Sequence, residues 1–255
     1  MNIKFSILTI LLLLHTFVSA AVYESVEKYV NTSCSINDID ELIIDNRFGN
    51  IVITDLNSDS IYVNVVIKVS SRKQSTIDQI LDKVNIGFQQ NGKQLKAVTS
   101  LDNLTMKNSS LEINYNVIIP ASKKLDITNK YGNVQVDKLD GKGSFNVKYG
   151  NFNGGTWKTT DNIPIIAKYG DISIDKVNYL TCDIGYGNLN IEKIDNLHLD
   201  SKYSDIDISE VKYIKVDSEY DQFSFNKLLS LDAKAQGSDF NIKSLIERLN
   251  LSTSY

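Results

Sequence analysis

The 255-residue chain contains only two prolines, two cysteines and two histidines. Two prolines are too few for the number of turns that the sequence implies, so glycine and asparagine must form the corners. The charge is mixed and mildly acidic, with 27 basic and 31 acidic side chains, which is not the pattern of a nucleic-acid-binding protein. Enough aliphatic residues remain to build a core, so the chain does not have the composition of a disordered protein.

Motifs of catalysis and metal binding are also missing. The sequence has no phosphate-binding glycine loop and no Cys/His spacing typical of a metal site. Only His198 lies outside the N-terminal apolar segment, which disfavours a nucleophile–histidine–acid triad. The calcium-binding repeat G-G-x-G-x-D is absent, which argues against calcium-driven folding. We therefore predict no catalytic, cofactor-binding or metal-binding residues, and a protein that is not an enzyme.

The one long hydrophobic run stands at the N-terminus. A basic start, "MNIK", precedes the apolar segment "FSILTILLLLHTFV" and the small residues of "VSA". This order predicts a secretory signal peptide over residues 1–20, cleaved after Ala20. A membrane anchor is the alternative, but the run is shorter than the roughly 20 residues that span a bilayer. We predict an exported protein, located in the periplasm, at the cell surface or in the medium.

The main feature that the sequence does contain is a repeat. Variants of Tyr-Gly-Asn, followed by alternating apolar residues, recur every 17 to 20 positions from residue 129 onward. With tyrosine as position zero, apolar residues stand at −6, −4, +3, +5 and +8. The zero positions are Tyr131, Tyr149, Tyr169, Tyr186, Tyr203 and Tyr220, and Gly237 aligns with the next.

The parity of these apolar positions predicts the fold. Alternation from −6 to zero is typical of a strand with one buried face. The apolar positions switch from even to odd numbers across Gly-Asn and back to even numbers between +5 and +8. The chain must bend at both places to keep these side chains on one face, and a third bend precedes the next unit. Such units are coils of an all-β, right-handed parallel β-helix, stacked about 4.8 Å apart. The interpretation requires Leu197, Leu199, Ile206 and Ile208 to face the interior.

Two structural ladders follow from this register. Tyrosine at zero continues the inward parity, so successive rings should stack at a corner. Glycine would permit the turn, and the amide or acid at +2 would bond to neighbouring backbone. The second ladder comprises Asn50, Asn133, Asn151, Asp171, Asn188, Asp205 and Asp239. A tyrosine strip that is exposed and binds sugars is the alternative.

The pattern also appears once before the main repeat. "LIIDNRFGNIVITDL" fits every position with Phe48 at zero, and the next match follows only at Tyr131. Residues 57–124 are therefore an insertion of strands and one short helix, "STIDQILDKV", with Ser75 as its N-cap. The insertion is suited to cover the N-terminal end of the solenoid. We predict a first coil plus cap subdomain over 21–124 and solenoid repeats over 125–255.

Two further features leave alternatives open. Near the C-terminus, "KSLIERL" forms either a terminal helix over the last coil or an open strand edge that can pair with another chain. Cys182 falls at −4, where other coils carry Ile or Leu, which favours a buried apolar role. A disulfide with Cys34 is the alternative in an oxidising compartment.

Charged residues form two predicted outward rows. Asp183, Asp200 and Asp217 stand at −3 on three consecutive coils, where a bound Ca²⁺ could bridge them. Solvated acids balanced by lysines at −1 are the favoured interpretation. The −1 lysines are Lys130, Lys148, Lys168 and Lys202.

The chain resembles a known family. The segments "NRFGNIVI", "INYNVIIP" and "LDITNKYGNVQV", with the further Y-G-N coils, are similar to the "putative adhesin" family of exported β-helix proteins of Gram-negative bacteria, related to auto-transporter adhesin head domains. The resemblance covers the chain from about Ile36 onward and implies an exported β-helix without established catalytic residues. Ser204, Asp221 and Gly237 depart from the Y-G-N pattern.

These observations lead to one functional hypothesis and two alternatives. The hypothesis is a non-enzymatic exported β-helix protein, structural or adhesive, at the cell envelope. Its partner would be an envelope protein or a glycan, and its open edge could mediate self-association. One alternative is a carbohydrate-active enzyme on a β-helix scaffold, with acids at Asp183, Asp200 and Asp217. The other is a periplasmic accessory protein in envelope assembly or sensing.

Overall fold

The computed structural model describes residues 23–56 and 58–254. The chain forms a β-solenoid of about eight turns with stacked parallel strands. The predicted signal peptide lies outside these described residues. Within them, no helix is long and apolar enough to cross a membrane.

The N-terminal part combines the first coil with the insertion. Its elements are β1 (Glu24–Ser35), β2 (Glu41–Arg47), β3 (Ile51–Thr54), β4 (Ser60–Ser71), α1 (Gln74–Asp82), β5 (Val84–Asn91), β6 (Gln94–Leu101) and β7 (Ser109–Ile118). Strand β2 pairs in parallel with β8 of the next coil on one edge and with β6 on the other. Strand β3 pairs in the same way with β9 and β7. The insertion therefore returns to cover the N-terminal face of the first coil.

The solenoid proper follows from residue 124. Its strands are β8 (Lys124–Lys130), β9 (Val134–Val136), β10 (Gly143–Lys148), β11 (Phe152–Thr156), β12 (Ile163–Lys168), β13 (Ile172–Gly185), β14 (Asn188–Lys202), β15 (Asp205–Glu219), β16 (Gln222–Gln236), β17 (Asp239–Ile242) and β18 (Leu245–Ser254). From β13 to β16 each strand runs 14 or 15 residues. The second and third predicted corners are bends within these strands, because parallel pairing resumes on both sides of each bend.

The predicted core is confirmed. Leu197, Leu199, Ile206 and Ile208 are at most 3% exposed, and β14 pairs in parallel with both β13 and β15. Inward residues of neighbouring coils meet in register, which extends one apolar core along the solenoid. Cys182 is fully buried in this core and, like Cys34, is a free thiol. Its interpretation as a buried apolar residue is confirmed.

The predicted helix is present, but its predicted start is wrong. Helix α1 packs against the cap through Ile77 and Ile80. Its N-cap is Lys73, which makes no side-chain capping bond, and Ser75 lies inside the first turn. The first turn is held instead by Gln74, whose Nε2 donates to Asp78 Oδ1 at 2.8 Å.

The C-terminal alternatives are resolved in favour of a strand. Strand β18 pairs with β16, and its other edge is unpaired among the described residues. Leu249 and Leu251 continue inward columns above Leu231 and Ala233, yet they remain 45% and 40% exposed. The last described coil therefore presents an apolar cross-section and an open edge.

Candidate functional site

The zero-position residues form the first candidate surface, and their direction differs from the prediction. All of them adopt positive φ values, from 49° to 62°. The tyrosines are 43 to 52% exposed. The prediction that their side chains face the interior, like those at −6 and −4, is therefore wrong. A left-handed residue interrupts the strand alternation, and its side chain turns outward at the corner.

These aromatic side chains stack in one continuous column, here called the aromatic ladder. Adjacent ring centroids are 5.0 to 5.3 Å apart, and their planes differ by 2° to 26°. Its members are Phe48, Tyr131, Tyr149, Tyr169, Tyr186, Tyr203 and Tyr220. Each stacked pair contributes about 0.5–1.5 kcal/mol beyond its buried area. Because neighbouring rings cover one another's faces, the ladder presents ring edges to solvent.

The glycine after each tyrosine has a different role from the predicted one. Gly132 and Gly150 are not among the residues with positive φ. A Cβ on Gly150 would lie 2.0 Å from the carbonyl oxygen of Gly132 in the preceding coil, and a Cβ on Gly132 would lie 1.9 Å from that of Gly49. Glycine is therefore required by the close approach of two backbones, while the tyrosine supplies the turn.

The residues at +2 form an amide ladder over the first coils only. Each backbone N–H donates to the side-chain oxygen of the preceding +2 residue at 2.8 to 3.0 Å. The chain of bonds links Asn50, Asn133, Asn151, Asp171 and Asn188. The prediction that it continues is wrong, because the N–H groups of Asp205 and Asp239 donate to the main-chain carbonyls of Gly187 and Asp221.

The amide ladder also begins earlier than the sequence pattern indicated. Asn114 of β7 accepts the backbone N–H of Asn50 through Oδ1 at 2.8 Å. A signal for this residue was present, since "NYNV" after Ile113 repeats the spacing of "NIVI" after Gly49. The inserted strand β7 therefore supplies one further rung before the first recognised coil.

The later coils replace the glycine corner by a buried polar network around Asp221. The Asp221 carboxylate accepts bonds from the hydroxyls of Ser201 and Ser218, at 2.7 and 2.8 Å, and from the N–H of Ser204 at 2.8 Å. Asp221 is 2% exposed, and burial raises its pKa above the ordinary value of 3.8. Two of the departures from Y-G-N that the sequence showed, Ser204 and Asp221, thus compensate each other.

The predicted lysine row lies beside the aromatic ladder. Lys130 Nζ stands 4.8 Å from the ring centroid of Tyr131 and 5.6 Å from that of Tyr149. Lys168 pairs with Asp183 at 2.5 Å. Lys202 pairs with Glu219, whose hydrogen bond raises the pKa of the lysine. Of the four lysines of this row, only Lys168 and Lys202 form ion pairs among the described residues, so the unpaired positive charge of the row lies at Lys130 and Lys148.

The predicted acidic row is in register on the adjacent outward column. Asp183, Asp200 and Asp217 lie opposite one another on β13, β14 and β15. In the part of the chain that the structure describes, no group of three or more His, Cys, Asp or Glu side chains is placed to hold a metal ion. The interpretation of this row as solvated acids stays a prediction.

A second aromatic surface, which the sequence analysis did not predict, lies on the same three strands as the acidic row. Tyr179, Asn196 and Tyr213 stand opposite one another on β13, β14 and β15. They border an open cavity of about 300 Å³, here called the lateral groove. Its polar lining includes Asn162, Thr181, His198, Lys215, Ser230, Asp232 and Arg248. The available signal was a tyrosine at −7 in two of three consecutive coils.

Comparison with known proteins finds similar solved structures. The chain matches no protein-family model and no curated protein. It is similar to a "putative adhesin" from Bacteroides fragilis (11% identity, TM-score 0.43) and to another from Parabacteroides distasonis (14% identity, TM-score 0.48). Each alignment covers 87% of this chain and 97% of the other.

A further similar structure carries a different name. It is described as a "putative lipid binding protein" from Parabacteroides distasonis, with 14% identity, a TM-score of 0.42, and coverage of 89% of this chain and 97% of the other. The structural neighbours therefore include both that protein and several "putative adhesins", which is the name of the family that the sequence resembles.

Proposed function

We propose that this protein is a non-enzymatic, exported β-helix that acts as an adhesive module at the cell envelope, with the aromatic ladder as its contact surface. The observation that carries the proposal is the continuous column of seven stacked rings, of which the six tyrosines are 43 to 52% exposed. Six steps between them extend over about 30 Å. Contiguous exposed apolar patches are uncommon on soluble monomers and mark interaction sites, and tyrosine is enriched at protein interfaces.

The geometry of the ladder favours an extended protein partner. Since inner ring faces are covered by neighbouring rings, the partner would meet ring edges and hydroxyls repeated at every coil. The ammonium group of Lys130 lies beside the Tyr131 and Tyr149 rings, and Lys148 stands opposite Lys130 on the next coil, whereas Lys202 is neutralised by Glu219. We propose an envelope protein with acidic residues opposite the Lys130 end.

The proposal includes the organisation of the chain. Residues 1–20 would direct export, residues 21–124 would form the first coil with its cap, and residues 125–255 would form the repeats. The composition of the N-terminal segment supports export. Pairing of β2 with both β6 and β8 supports a cap that is continuous with the solenoid.

The contact surface can be tested by binding of the labelled chain, from residue 21 onward, to envelope membranes of the producing bacterium. The double variant Tyr149→Asn/Tyr169→Asn removes two central rings and keeps residues that tolerate positive φ. The matched control is Tyr62→Asn, which removes an exposed tyrosine from β4 of the cap. We expect the control to bind like the unmodified chain and the double variant to bind at least tenfold more weakly.

Equal binding of the double variant and the control would exclude the ladder as the contact surface. The non-enzymatic part of the proposal needs a separate assay, in which neutral and acidic polysaccharides are incubated with the protein and new reducing ends are counted. Turnover that is abolished by Asp200→Ala would contradict the proposal and favour the glycan-degrading alternative.

A further inference from the structure

We infer that the lateral groove is a saccharide-binding site, in which one sugar ring of a neutral oligosaccharide inserts between Tyr179 and Tyr213. The groove is separate from the aromatic ladder, and the inference does not depend on the function proposed above. It rests on the spacing of the two tyrosines, on their exposure and on the polar groups around them.

The spacing leaves room for one ring. Tyr179 and Tyr213 stand at equivalent positions on β13 and β15, with Asn196 of β14 between them. Two strand spacings separate their backbones by about 9.6 Å. A pyranose ring at the level of β14, outward of the shorter Asn196 side chain, would lie about 5 Å along the stack from each tyrosine, which is the distance at which the rings of the aromatic ladder contact one another. The groove therefore resembles a ladder with one ring missing.

The two tyrosines are exposed and stand apart from other aromatic rings in the part of the chain that the structure describes. Among the described residues, neither ring stacks on another aromatic side chain, whereas each inner ring of the aromatic ladder is covered on both sides. Tyr179 and Tyr213 are 42% and 49% exposed. The face of an aromatic ring carries partial negative charge, and the C–H groups of a pyranose ring carry partial positive charge. A sugar ring can therefore pack face-on against each tyrosine.

Polar side chains border the groove on the neighbouring outward column. Thr181, His198, Lys215 and Asp232 stand opposite one another on successive strands. The Nδ2 of Asn162 donates to Thr181 Oγ1 at 3.0 Å. These groups offer both donors and acceptors, as the hydroxyls of a saccharide require.

The charge of the groove favours a neutral ligand. Lys215 lies directly beside Asp232 in the register of β15 and β16, and Arg248 follows on β18. The acidic row, with Asp200 and Asp217, runs along the next outward column. Because both signs surround the groove, an anionic chain would meet carboxylates and a cationic chain would meet lysine and arginine. The volume of about 300 Å³ lies at the lower end of the range for ligand sites, which suits a short saccharide segment.

The experiment fills the space between the tyrosines. Asn196→Tyr places an aromatic side chain between Tyr179 and Tyr213 and completes a continuous stack. The matched control is Asn190→Tyr, the same change at an exposed position of the same strand, outside the groove. Isothermal titration would use the chain from residue 21 onward. The ligands are hexasaccharides of α-1,4-, β-1,4- and β-1,3-linked glucose and of β-1,4-linked N-acetylglucosamine, with an oligogalacturonate as the anionic comparison and a tyrosine-rich peptide as the aromatic one.

We expect at least one neutral hexasaccharide to bind the unmodified chain and Asn190→Tyr with equal affinity. Asn196→Tyr should weaken that binding at least tenfold while the melting temperature is maintained, and Tyr213→Ala should weaken it through loss of one stacking face. The inference is overturned if no neutral hexasaccharide binds, if Asn196→Tyr binds as well as the control, or if only the anionic saccharide or the peptide binds at the groove.

Discussion

At the scale of single residues, the repeated corner divides two demands between two neighbours. Tyrosine adopts positive φ, a conformation that is uncommon for a bulky residue and costs about 1–3 kcal/mol. Stacking on the rings above and below offsets this strain. Glycine accepts the close approach of the preceding coil, since the Gly132 carbonyl leaves no space for a Cβ on Gly150. Glycine can also adopt the turn, as Gly237 does at the zero position with a φ of 58°, but it has no ring to stack, and tyrosine has a Cβ that the close approach does not admit.

The role of glycine predicts a large effect of a small substitution. Gly150→Ala would place a methyl group 2.0 Å from a backbone oxygen that cannot move independently. We expect the free energy of unfolding to fall by about 3 kcal/mol or more, measured as a shift of the urea midpoint at constant slope. Gly87→Ala in β5 is the control, because its Cβ would meet nothing within 4 Å. Comparable losses in both variants would show that close approach is not the constraint.

The buried carboxylate of Asp221 predicts a dependence of stability on pH. Because burial raises the pKa of Asp221 in the folded state, the folded chain binds a proton more readily than the unfolded chain. The associated stability is present below the ordinary pKa of 3.8 and is lost as pH rises through the raised pKa. Ionised Asp221 therefore lowers stability at neutral pH relative to a neutral side chain that makes the same bonds.

Asp221→Asn should remove this dependence. Its Oδ1 can still accept the N–H of Ser204, and its Nδ2 can donate to the hydroxyls of Ser201 and Ser218. We expect the difference in unfolding free energy between variant and unmodified chain to increase in favour of the variant from about pH 3 to pH 7. Urea denaturation at several pH values measures it, with the exposed Asp217→Asn as a substitution control. A difference that does not change with pH would contradict the assignment.

At the scale of elements, position along the solenoid decides what a strand contributes. Strand β14 is paired on both edges, whereas β18 is paired on one in the part of the chain described. Leu199 and Leu251 occupy the same inward column, yet Leu199 is fully buried and Leu251 is 40% exposed. The same side chain in the same register therefore buries different amounts of apolar surface.

This difference can be measured with one substitution made at two places. Leu199→Ala should lower the free energy of unfolding by about 2–5 kcal/mol, because it removes buried methyl groups and leaves a cavity. Leu251→Ala should lower it by less than about 1 kcal/mol, since much of its surface already contacts water. Thermal or urea denaturation checks both values. Equal losses would indicate that the terminal coil is covered in solution, as self-association through β18 would produce.

At the scale of the whole molecule, the two ends of the solenoid differ. At the N-terminal end, a buried network joins the first coil to its cap. Thr99 Oγ1 donates to Asn46 Oδ1 at 2.8 Å and lies 2.9 Å from the hydroxyl of Tyr115, and burial raises the pKa of Tyr115 to about 12. At the other end, β18 leaves apolar side chains and backbone groups open. The open edge of β18 can pair with another chain, and self-association there stays a prediction.

The sequence by itself determined the parallel solenoid, the residues of its core and the separation of the first coil from the others. Each of these depends on the local alternation of apolar residues and on a repeat of 17 to 20 residues, and both can be counted along a single chain. The helix and strands of the insertion were predictable for the same reason, although the exact start of α1 was not.

Only the tertiary structure decided the direction of the tyrosines, the role of the glycines, the end of the amide ladder and the presence of the lateral groove. Each depends on the residue one or two coils away that lies alongside, such as Gly132 beneath Gly150 or Asn196 between Tyr179 and Tyr213. A pattern of burial alternates with every residue along a strand. It carries no information about how closely two coils approach or which side chains meet across them, and that approach determines the surfaces that can bind a partner.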